Sequence, residues 1–402
     1  MKIAAPSFLD DVRLRRLFDV LDGNGEELRV IGGAVRNHFM HKPVSEIDLA
    51  TTATPETIIA RAKDAGLKSV PTGIEHGTVT VIVDRTPFEI TTLREDIETD
   101  GRRAKVVFGR DFEKDALRRD FTFNALSVSA DGTVYDYAGG MADIAACHVR
   151  FIGDPATRIR EDYLRILRYF RFHAAFAKGE ADKAALQAIA AHRVGLGGLS
   201  RERVRAELMK LLDTEQAHAT LKLMSGLGLL LPLVGGAVCL TRLAQLTREA
   251  DAILKLAALT VLKREDAVHL QNILRLSNAE TQRLLGCAQA MEKLQGAAVP
   301  DAQRLRELLL AFGRQATLDA LALAGAQAPS EDWAVALSLA LTLPEPKLPL
   351  NGGDLISRGM KSGRAIGEAL AEIEKNWIVA GFPEDAPSLD ALIKTTLARH
   401  AD

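Results

Sequence analysis

The pattern of residues changes character near Asp154, and this change constrains the fold more than any other feature of the chain. Before it, short segments rich in β-branched residues predict strands, for example VTVIVDR and PFEITTLRE within residues 79–95. After it, long amphipathic segments rich in Ala and Leu predict helices, for example SRERVRAELMKLLD. We therefore expect an α+β N-terminal part with a mixed or antiparallel sheet, followed by an all-helical remainder.

The composition excludes several classes of protein. Lys and Arg total 51 against 53 Asp and Glu, so the net charge of −2 does not indicate a nucleic-acid partner, which would need a local basic patch. Three widely spaced cysteines indicate neither a disulfide framework nor a zinc site, which favours a reducing cytoplasm. We expect no signal peptide and no membrane span, because the N-terminus lacks an apolar core and the run 224–240 is interrupted by Pro232 and glycines.

Two adjacent glycines, Gly32 and Gly33, follow the apolar run 28–31 and precede a stretch that can continue as a helix. This is the layout of a strand, a tight turn and a helix N-terminus, where backbone N–H groups and the helix dipole favour a phosphate. A Gly-Gly pair alone is equally typical of an ordinary turn.

Two acidic residues follow, Glu46 and Asp48, alternating with Ile47 and Leu49. In a strand, this alternation would send both carboxylates to one face and both aliphatic side chains into the core. Paired carboxylates are ligands that hard cations such as Mg²⁺ require, although an isolated Glu-x-Asp usually lies in a solvated loop. A glycine pair followed by a carboxylate pair predicts a nucleoside-triphosphate site.

The segment RRDFTFNALSV begins with Arg118, Arg119 and Asp120. Adjacent arginines suit triphosphate contacts, because a guanidinium can pair with phosphate oxygens in two places at once. The alternative is a helix C-terminus that carries paired surface charges.

A further cluster lies in residues 154–172. On a helix, Asp162 and Arg165 are i,i+3 neighbours, and Arg168 and Arg171 continue the same row. An Asp and an Arg one turn apart offer the acceptor and donor groups that reading a base edge requires, and the further arginines could hold phosphates or RNA backbone. The alternative is a solvated charged face in which Glu161 and Arg165 form an i,i+4 pair.

Segments rich in glycine or proline predict breaks between the elements at 195–200, 226–236 and 342–354. Residues 95–115, rich in glycine and charge, are predicted to form a mobile loop within the N-terminal part. The sequence leaves the oligomeric state open.

The order and spacing of the motifs resemble one family, the class II tRNA nucleotidyltransferases and bacterial poly(A) polymerases of the polymerase-beta-type nucleotidyltransferase superfamily. The resemblance covers residues 28–212. The motifs that carry it are IGGAVR, EIDLATTATP, TTLRED, RRDFTFNAL, DYAGGMADI, RIREDYLRILRYFRF and SRERVRAEL.

This resemblance implies an α+β nucleotidyltransferase head followed by an all-α neck, body and tail. The implied boundaries are 1–152 for the catalytic head, 153–215 for the neck that recognises the base, 216–342 for the body and 343–402 for the tail that binds tRNA. Residues 95–115 are implied to act as a lid that couples base choice to chain position.

The resemblance also implies the roles of individual residues. The catalytic carboxylates would be Glu46, Asp48 and Glu89, with Glu46 and Asp48 as ligands of a two-Mg²⁺ site. Asp162 and Arg165 would recognise the incoming base. The residues implied to bind the nucleotide are Gly32, Gly33, Arg36, Arg118, Arg119, Asp120, Asp162, Arg165, Arg168 and Arg171.

The chain departs from the family pattern at two positions. The first metal carboxylate is Glu46 where the family usually has Asp, and Asn37 follows Arg36 where the family usually has Asp. Neither change removes a chemical group that the mechanism requires, so we expect an active enzyme.

The implied reaction is attack of an RNA 3′-hydroxyl on the α-phosphate of CTP or ATP with release of pyrophosphate. The implied partner is the acceptor arm of tRNA, read by shape and backbone contacts. Residues 347–378 resemble the tail of CCA-adding enzymes, which favours CCA addition over poly(A) polymerase or A-only addition. A non-catalytic RNA-binding protein on the same fold is the remote alternative.

Overall fold

The structure of the chain is a computed structural model that describes residues 6–96, 106–247, 249–361 and 363–399. The chain divides into two compact units, Met1–Arg203 and Val204–Asp402. All described strands lie in the first unit, and the second is helical. The predicted α+β N-terminal part followed by a helical remainder is therefore confirmed. The division into four parts remains a prediction.

A seven-stranded mixed sheet organises the first unit, in the spatial order β3-β4-β5-β2-β1-β8-β9. The pair β2 and β5 is parallel, whereas β1 pairs with β2 and β8 in antiparallel fashion. The strands of this sheet are β1 (Leu28–Ile31), β2 (Asp48–Thr51), β3 (Lys68–Gly73), β4 (Thr78–Val83), β5 (Thr86–Thr92), β8 (Ser127–Val128) and β9 (Val134–Tyr135). The two strands predicted within residues 79–95 are β4 and β5.

Two more strands correct the prediction of a mobile loop over residues 95–115. Strands β6 (Arg94–Asp96) and β7 (Val106–Phe108) form a separate antiparallel pair, and a helix begins at Phe112. The intervening residues 97–105 lie outside the described residues. Paired backbone groups therefore order both ends of the segment that was expected to be a loop.

Helices cover the sheet and continue beyond it. Helix α3 packs against β3 and β4, and the buried side chains of α1 and α3 include Leu14, Leu17 and Ile58. The helices of the first unit are α1 (Val12–Leu21), α2 (Gly33–Phe39), α3 (Pro55–Asp64), α4 (Phe112–Leu117), α5 (Gly140–Ala145), α6 (Pro155–Glu161), α7 (Leu164–Phe176) and α8 (Lys183–His192), with α9 (Arg201–Leu212) crossing into the second unit.

Side-chain caps explain where several of these helices begin. Asp11, Thr54, Asp111, Asp154 and Asp182 each accept a hydrogen bond from a backbone N–H in the first turn of the helix that follows. Such caps satisfy donors that the helix itself leaves unpaired.

Apolar side chains cluster in the described part of the second unit. One cluster is centred on Leu305, Leu308 and Leu321, and another on Leu355 and Ile373. Its helices are α10 (Ala217–Gly226), α11 (Leu230–Val234), α12 (Leu240–Ala244), α13 (Ala252–Thr260), α14 (Arg264–Leu274), α15 (Asn278–Leu294), α16 (Ala302–Gln327), α17 (Glu331–Thr342), α18 (Gly352–Ile356), α19 (Arg364–Val379) and α20 (Ala386–Arg399).

Among the described residues, α16 has the length and hydropathy of a membrane span, but half of its apolar window is buried inside the fold. Core helices of globular proteins meet the same two criteria. Helix α16 also carries a kink at Gly313, where φ is 76° and ψ is 169°.

Candidate active site

One pocket of about 450 Å³ in the first unit gathers most of the residues singled out in the sequence. This volume lies in the range of small-molecule sites. Glu46, Glu89 and Arg118 do not line it. The lining residues are Gly32, Gly33, Arg36, Asp48, Arg119, Asp120, Asn124, Asp162, Arg165, Arg168, Arg171 and Phe172.

The glycine pair forms the predicted turn between β1 and α2. Gly32 has φ +64° and ψ −117°, a conformation that residues with a side chain rarely adopt. A Cβ at Gly32 would also lie 3.4 Å from Nη1 of Arg119. Helix α2 starts at Gly33, and Arg36 follows one turn later. The turn therefore brings backbone and arginine side chains together at one end of β1.

The carboxylates lie at the start of β2 and on β5. Asp48 opens β2 and is directly opposite Glu89 in the parallel pair. Glu46 precedes the strand and Ile47 is only half-buried, so the predicted strand alternation over residues 46–49 is wrong for its first two positions. Pairing with β1 begins only at Asp48, opposite Ile31.

Asp48 nevertheless lies close to the other two predicted carboxylates. Partial burial, with repulsion from Glu89 and Glu46, raises the pKa of Asp48 above its ordinary value, and Arg119 opposes this effect. Clustered carboxylates that repel one another favour a bound cation. Within the ranges that the structure describes, no group of three or more His, Cys, Asp or Glu side chains is arranged to hold one metal ion. The donor chemistry fits a divalent ion at Asp48, with Glu46 and Glu89 nearby.

Arg118 and Arg119 follow the C-terminus of α4, as the alternative interpretation expected. Both donate to Asp115, which is 4% exposed: Arg118 through Nε at 3.0 Å and Arg119 through Nη2 at 2.9 Å. Burial would raise the pKa of Asp115, but the two arginines hold it below its ordinary value. Only Arg119 reaches the pocket lining, so the two arginines differ in their access to a ligand.

Asp120, the last residue of the RRD motif, connects that motif to α7. It is 8% exposed and accepts hydrogen bonds from Nε of Arg168 at 2.6 Å and Nδ2 of Asn124 at 3.0 Å. Although burial opposes it, Arg168 is the main cause that lowers the pKa of Asp120. Asp120 is thus an ionised carboxylate that orients Arg168 at the pocket.

Asp162 corrects the prediction that it shares a helix with Arg165. It lies between α6 and α7 with φ −154°, so it does not share a helix with Arg165. Its Oδ1 accepts from the backbone N–H of Leu164 at 3.0 Å, and its Oδ2 accepts from Arg203 Nη2 at 2.6 Å. Asp162 and Arg165 still line the same pocket.

Arg165 makes the surface pair that the alternative interpretation expected. Its Nη1 donates to Glu161 at 2.5 Å and to the carbonyl oxygen of Arg158 at 3.0 Å. The same side chain lines the pocket, so the i,i+4 pair and access to the pocket are compatible.

Three arginines surround the ring of Phe172. The guanidinium carbons of Arg36, Arg168 and Arg171 lie 5.0, 5.5 and 4.0 Å from the ring centroid. Burial, together with the charges of Arg171 and Arg168, lowers the pKa of Arg36 to about 10. Guanidinium groups crowded at one wall of a pocket repel one another and favour a polyanionic ligand.

Four residues at this site were missed in the sequence: Asp115, Asn124, Phe172 and Arg203. Asp115 could have been found, because it precedes Arg118 and Arg119 by three and four residues, the spacing at which charged side chains pair at the end of a helix. Arg203 had no local signal, since it reaches Asp162 from a distant part of the chain.

Family models match most of the chain in three segments. Residues 28–150 match the poly A polymerase head domain, residues 180–236 match the "Probable RNA and SrmB- binding site of polymerase A", and residues 244–390 match tRNA nucleotidyltransferase domain 2. With the glycine turn, the carboxylates and the arginine pocket, the first match defines the chain as a nucleotidyltransferase.

Several relatives are similar over nearly the full length. The chain is 32% identical to the mitochondrial CCA tRNA nucleotidyltransferase 1 of Mus musculus, over 98% of this chain and 93% of the relative. It is 33% identical to the CCA-adding enzyme of Limosilactobacillus fermentum, over 93% and 94%. The chain therefore belongs to the CCA-adding tRNA nucleotidyltransferase family.

Solved structures agree with this assignment. The crystal structure of the Bacillus stearothermophilus CCA-adding enzyme in complex with CTP superimposes with a TM-score of 0.77 at 28% identity, covering 97% of this chain and 98% of that one. The Thermotoga maritima CCA-adding enzyme complexed with tRNA shares the fold, with a TM-score of 0.71 at 21% identity, covering 99% of this chain and 100% of that one.

Proposed function

We propose that the chain adds the 3′-terminal CCA to tRNA from CTP and ATP without a nucleic-acid template. The observation that carries this proposal is that one pocket is lined both by Asp48 and by Arg36, Arg168 and Arg171. A nucleoside triphosphate has the matching chemistry, because its phosphates need guanidinium partners and its reacting phosphate needs a cation. The names of the full-length relatives supply the reaction.

Membership of this family implies use of a divalent metal, and we propose Mg²⁺ as the ion, in a two-metal site. Glu46 and Asp48 would hold it, with Glu89 as the third carboxylate beside Asp48. When bound, such ions activate the RNA 3′-hydroxyl and neutralise charge on the departing pyrophosphate. The raised pKa of Asp48 supports the assignment, since repulsion from Glu89 and Glu46 contributes to it.

The triphosphate would lie against the arginine wall, the group formed by Arg36, Arg168 and Arg171 around Phe172. Arg36, Arg168 and Arg171 would pair with phosphate oxygens, and backbone N–H groups at the Gly32–Gly33 turn would add hydrogen bonds. Arg119 would share its guanidinium between Asp115 and the ligand. Arg118 faces Asp115 outside the pocket lining, so we assign it a supporting role in holding α4. Asp120 would orient Arg168 toward the phosphates.

The base would be read by Asp162 and Arg165. Leu164 N–H and Arg203 fix the carboxylate of Asp162, and Arg165 is fixed by Glu161 and a backbone carbonyl. A carboxylate and a guanidinium held in this way offer an acceptor and donors to a base edge without a template. Their rigid partners favour selection by a preset hydrogen-bond pattern.

We further propose that residues 1–152 form the catalytic head and 153–215 the neck, with the acceptor arm of tRNA held by the body at 216–342 and the tail at 343–402. Binding through backbone phosphates should weaken steeply with salt. We propose the cytoplasm as the site of action, although some full-length relatives are mitochondrial enzymes.

Single-nucleotide analysis of primer extension tests this function. Purified protein and Mg²⁺ would be incubated with tRNA transcripts that end before the tail, after C and after CC, using labelled CTP or ATP separately and together. We expect growth of the bare end to CCA and no further. Long A tails would instead indicate a poly(A) polymerase, and addition of A only to the CC end would indicate an A-adding enzyme.

A variant of the metal site sharpens the same assay. Asp48→Ala should abolish extension on all three transcripts while the protein remains folded by circular dichroism. Activity retained in this variant would refute the proposed metal site. If the unaltered protein extended none of the transcripts, a non-catalytic RNA-binding role would replace the proposed reaction.

A further inference from the structure

Asn124 is a buried amide at the centre of the candidate active site. It ends a short 3₁₀ turn, Thr122–Asn124, which begins two residues after Asp120 of the RRD motif. Asn124 is 7% exposed, and it lines the pocket together with Arg36 and Asp120. A buried amide requires partners for both its oxygen and its nitrogen, because an unsatisfied polar group is costly away from water.

The two ends of the Asn124 side chain contact opposite charges. Oδ1 accepts a hydrogen bond from Nη1 of Arg36 at 2.8 Å, and Nδ2 donates to Oδ1 of Asp120 at 3.0 Å. Only this orientation of the amide is chemically possible, since a guanidinium has donors alone and an ionised carboxylate has acceptors alone. Asp120 in turn accepts from Arg168 at 2.6 Å.

These contacts make a chain of four side chains across the pocket wall. It runs from Arg36 through Asn124 and Asp120 to Arg168, and each step is a hydrogen bond of 3.0 Å or less. The backbone carbonyl oxygen of Asn124 also accepts a hydrogen bond from Nη1 of Arg119 at 3.4 Å. Asn124 therefore contacts Arg36 of α2 and Arg119 of the RRD motif directly, and it connects to Arg168 of α7 through Asp120.

The neutrality of the amide matters as much as its position. Asp115 holds Arg118 and Arg119 with a carboxylate and so compensates part of their charge. Asn124 holds Arg36 with a dipole, and the second contact of Arg36, Oδ1 of Asn37 at 2.8 Å, is also an amide. Arg36 is thus fixed in direction while its full charge remains available to an anion.

We infer that Asn124 is a positioning residue that aims Arg36 and Arg168 at the triphosphate without neutralising Arg36. The inference rests on the proposed function, because it assigns these arginines to the triphosphate. A carboxylate at this position would pair with Arg36, lose the donor to Asp120 and repel that residue. An aliphatic side chain would remove one hydrogen bond from each neighbour, leaving Arg36 with Asn37 and Asp120 with Arg168.

Calorimetric binding of inorganic tripolyphosphate tests the inference without requiring turnover. We expect Asn124→Asp to weaken binding about tenfold, which corresponds to about 1.4 kcal/mol. Asn124→Ser, whose hydroxyl is too short to reach both neighbours, should weaken binding by a smaller factor. Asn272→Asp, an exposed asparagine on α14, is the matched control and should bind as the unaltered protein does.

Steady-state extension assays provide the second readout. In Asn124→Asp the KM for CTP and for ATP should rise by the same factor, whereas the KM for tRNA and the preference between the two nucleotides should stay constant. A purely structural role would lower the thermal midpoint and raise the KM for tRNA as well. If Asn124→Asp does not fold, Asn124→Ser carries the same comparison.

The outcomes separate this inference from the proposed function. Unchanged tripolyphosphate affinity in both Asn124 variants would overturn the inference, even if the unaltered protein adds CCA. Absence of tripolyphosphate binding to the unaltered protein would overturn it as well. Weaker binding in both variants together with no extension of any RNA would support the positioning role and refute the reaction.

Discussion

Two half-buried arginines, Arg283 in the second unit and Arg36 in the candidate active site, have opposite electrostatic environments. Arg283 donates to Asp319 at 2.7 and 2.9 Å and to Asp251 at 2.6 Å, and hydrogen bonds and charge from these carboxylates raise its pKa despite burial. Arg36 contacts two amides, and burial with two nearby arginines lowers its pKa to about 10.

This is the difference expected between an arginine that stabilises the fold and one that binds an anionic ligand, the role proposed for Arg36. In the second unit the charge is matched by two carboxylates, so little attraction is left for an anion. At the pocket, positive charge accumulates because three guanidiniums share one wall around Phe172. Such an arrangement costs stability unless a ligand compensates it, as is common at binding sites.

A third arginine shows that the lack of a carboxylate is not enough to indicate a site. Arg242 is buried and burial lowers its pKa, yet it donates to the carbonyl oxygens of Ala257, Ala258 and Val261. These carbonyls end α13, where the helix dipole is negative. The distinguishing feature of Arg36 is the presence of other cations, not the absence of an anion.

The largest effect on stability is expected from Arg283→Ala. Removing this side chain leaves the carboxylate of Asp319, a residue only 3% exposed, without its main partner. We expect a loss of about 3–5 kcal/mol in the free energy of unfolding, measured by urea titration. Arg364→Ala removes an exposed pair with Glu368 and should change this free energy by no more than about 0.5 kcal/mol. Equal losses in the two variants would contradict the comparison.

Arg36→Gln should have the opposite effect, weakening nucleotide binding without lowering the free energy of unfolding. A hydrogen bond to a charged group contributes about 1.5–3 kcal/mol, so the KM for CTP and ATP should rise about 10- to 100-fold. The free energy of unfolding should stay the same or increase, because repulsion with Arg168 and Arg171 is relieved. Arg61→Gln, whose guanidinium holds backbone carbonyls of Leu21 and Gly23, should lower stability and leave the KM unchanged. The reverse pattern would show that Arg36 is a structural residue.

Phe172→Leu should have a smaller effect on nucleotide binding. Loss of the aromatic face removes cation–π attraction of about 0.5–1 kcal/mol per arginine, so the KM for nucleotides should rise about three- to tenfold. Phe170→Leu on the same helix, where the ring packs edge-on against Tyr169, is the control for core packing. Both variants should lose stability, and only Phe172→Leu should raise the KM. A similar KM in the two variants would mean that the ring serves packing alone.

The smallest expected effect is that of the charge on Asp48 on the thermal midpoint, which depends on pH and on Mg²⁺. Its pKa is raised in the folded protein, so the folded state holds this proton more tightly, and stability falls as pH rises from about 3.8 through the folded pKa. At pH 7 without divalent metal, Asp48→Asn should therefore have a slightly higher thermal midpoint. Adding Mg²⁺ should raise the midpoint of the unaltered protein more than that of the variant. An equal response to Mg²⁺ in both would contradict the metal assignment.

Local patterns predicted much of this fold. The turn at Gly32 and the strand that carries Glu89 depend on residues adjacent in sequence, and both formed as expected. The pairing of Glu89 with Asp48 then follows from the parallel register of β2 and β5. The alternation predicts a strand from Glu46, two residues before β2 begins, because alternation alone does not show where pairing with a partner strand starts.

Long-range contacts explain the main error. The helical periodicity of RIREDYLRILRYFRF continues through Asp162, yet the chain breaks there into α6 and α7. The ring of Tyr163 occupies the space where a Cβ at Gly195 would lie, and Arg203 holds Asp162. Both partners lie far along the sequence, so no helical pattern within residues 154–172 could have indicated the break.

Calorimetric titration of CTP and of CMP tests the central claim most directly, because the two ligands differ only in the phosphates assigned to the arginine wall. We expect the unaltered protein to bind CTP much more tightly than CMP, and Arg36→Gln to weaken CTP by about tenfold or more while changing CMP little. If Arg36→Gln weakened both ligands by the same factor, or neither, the arginine wall would not be the triphosphate site.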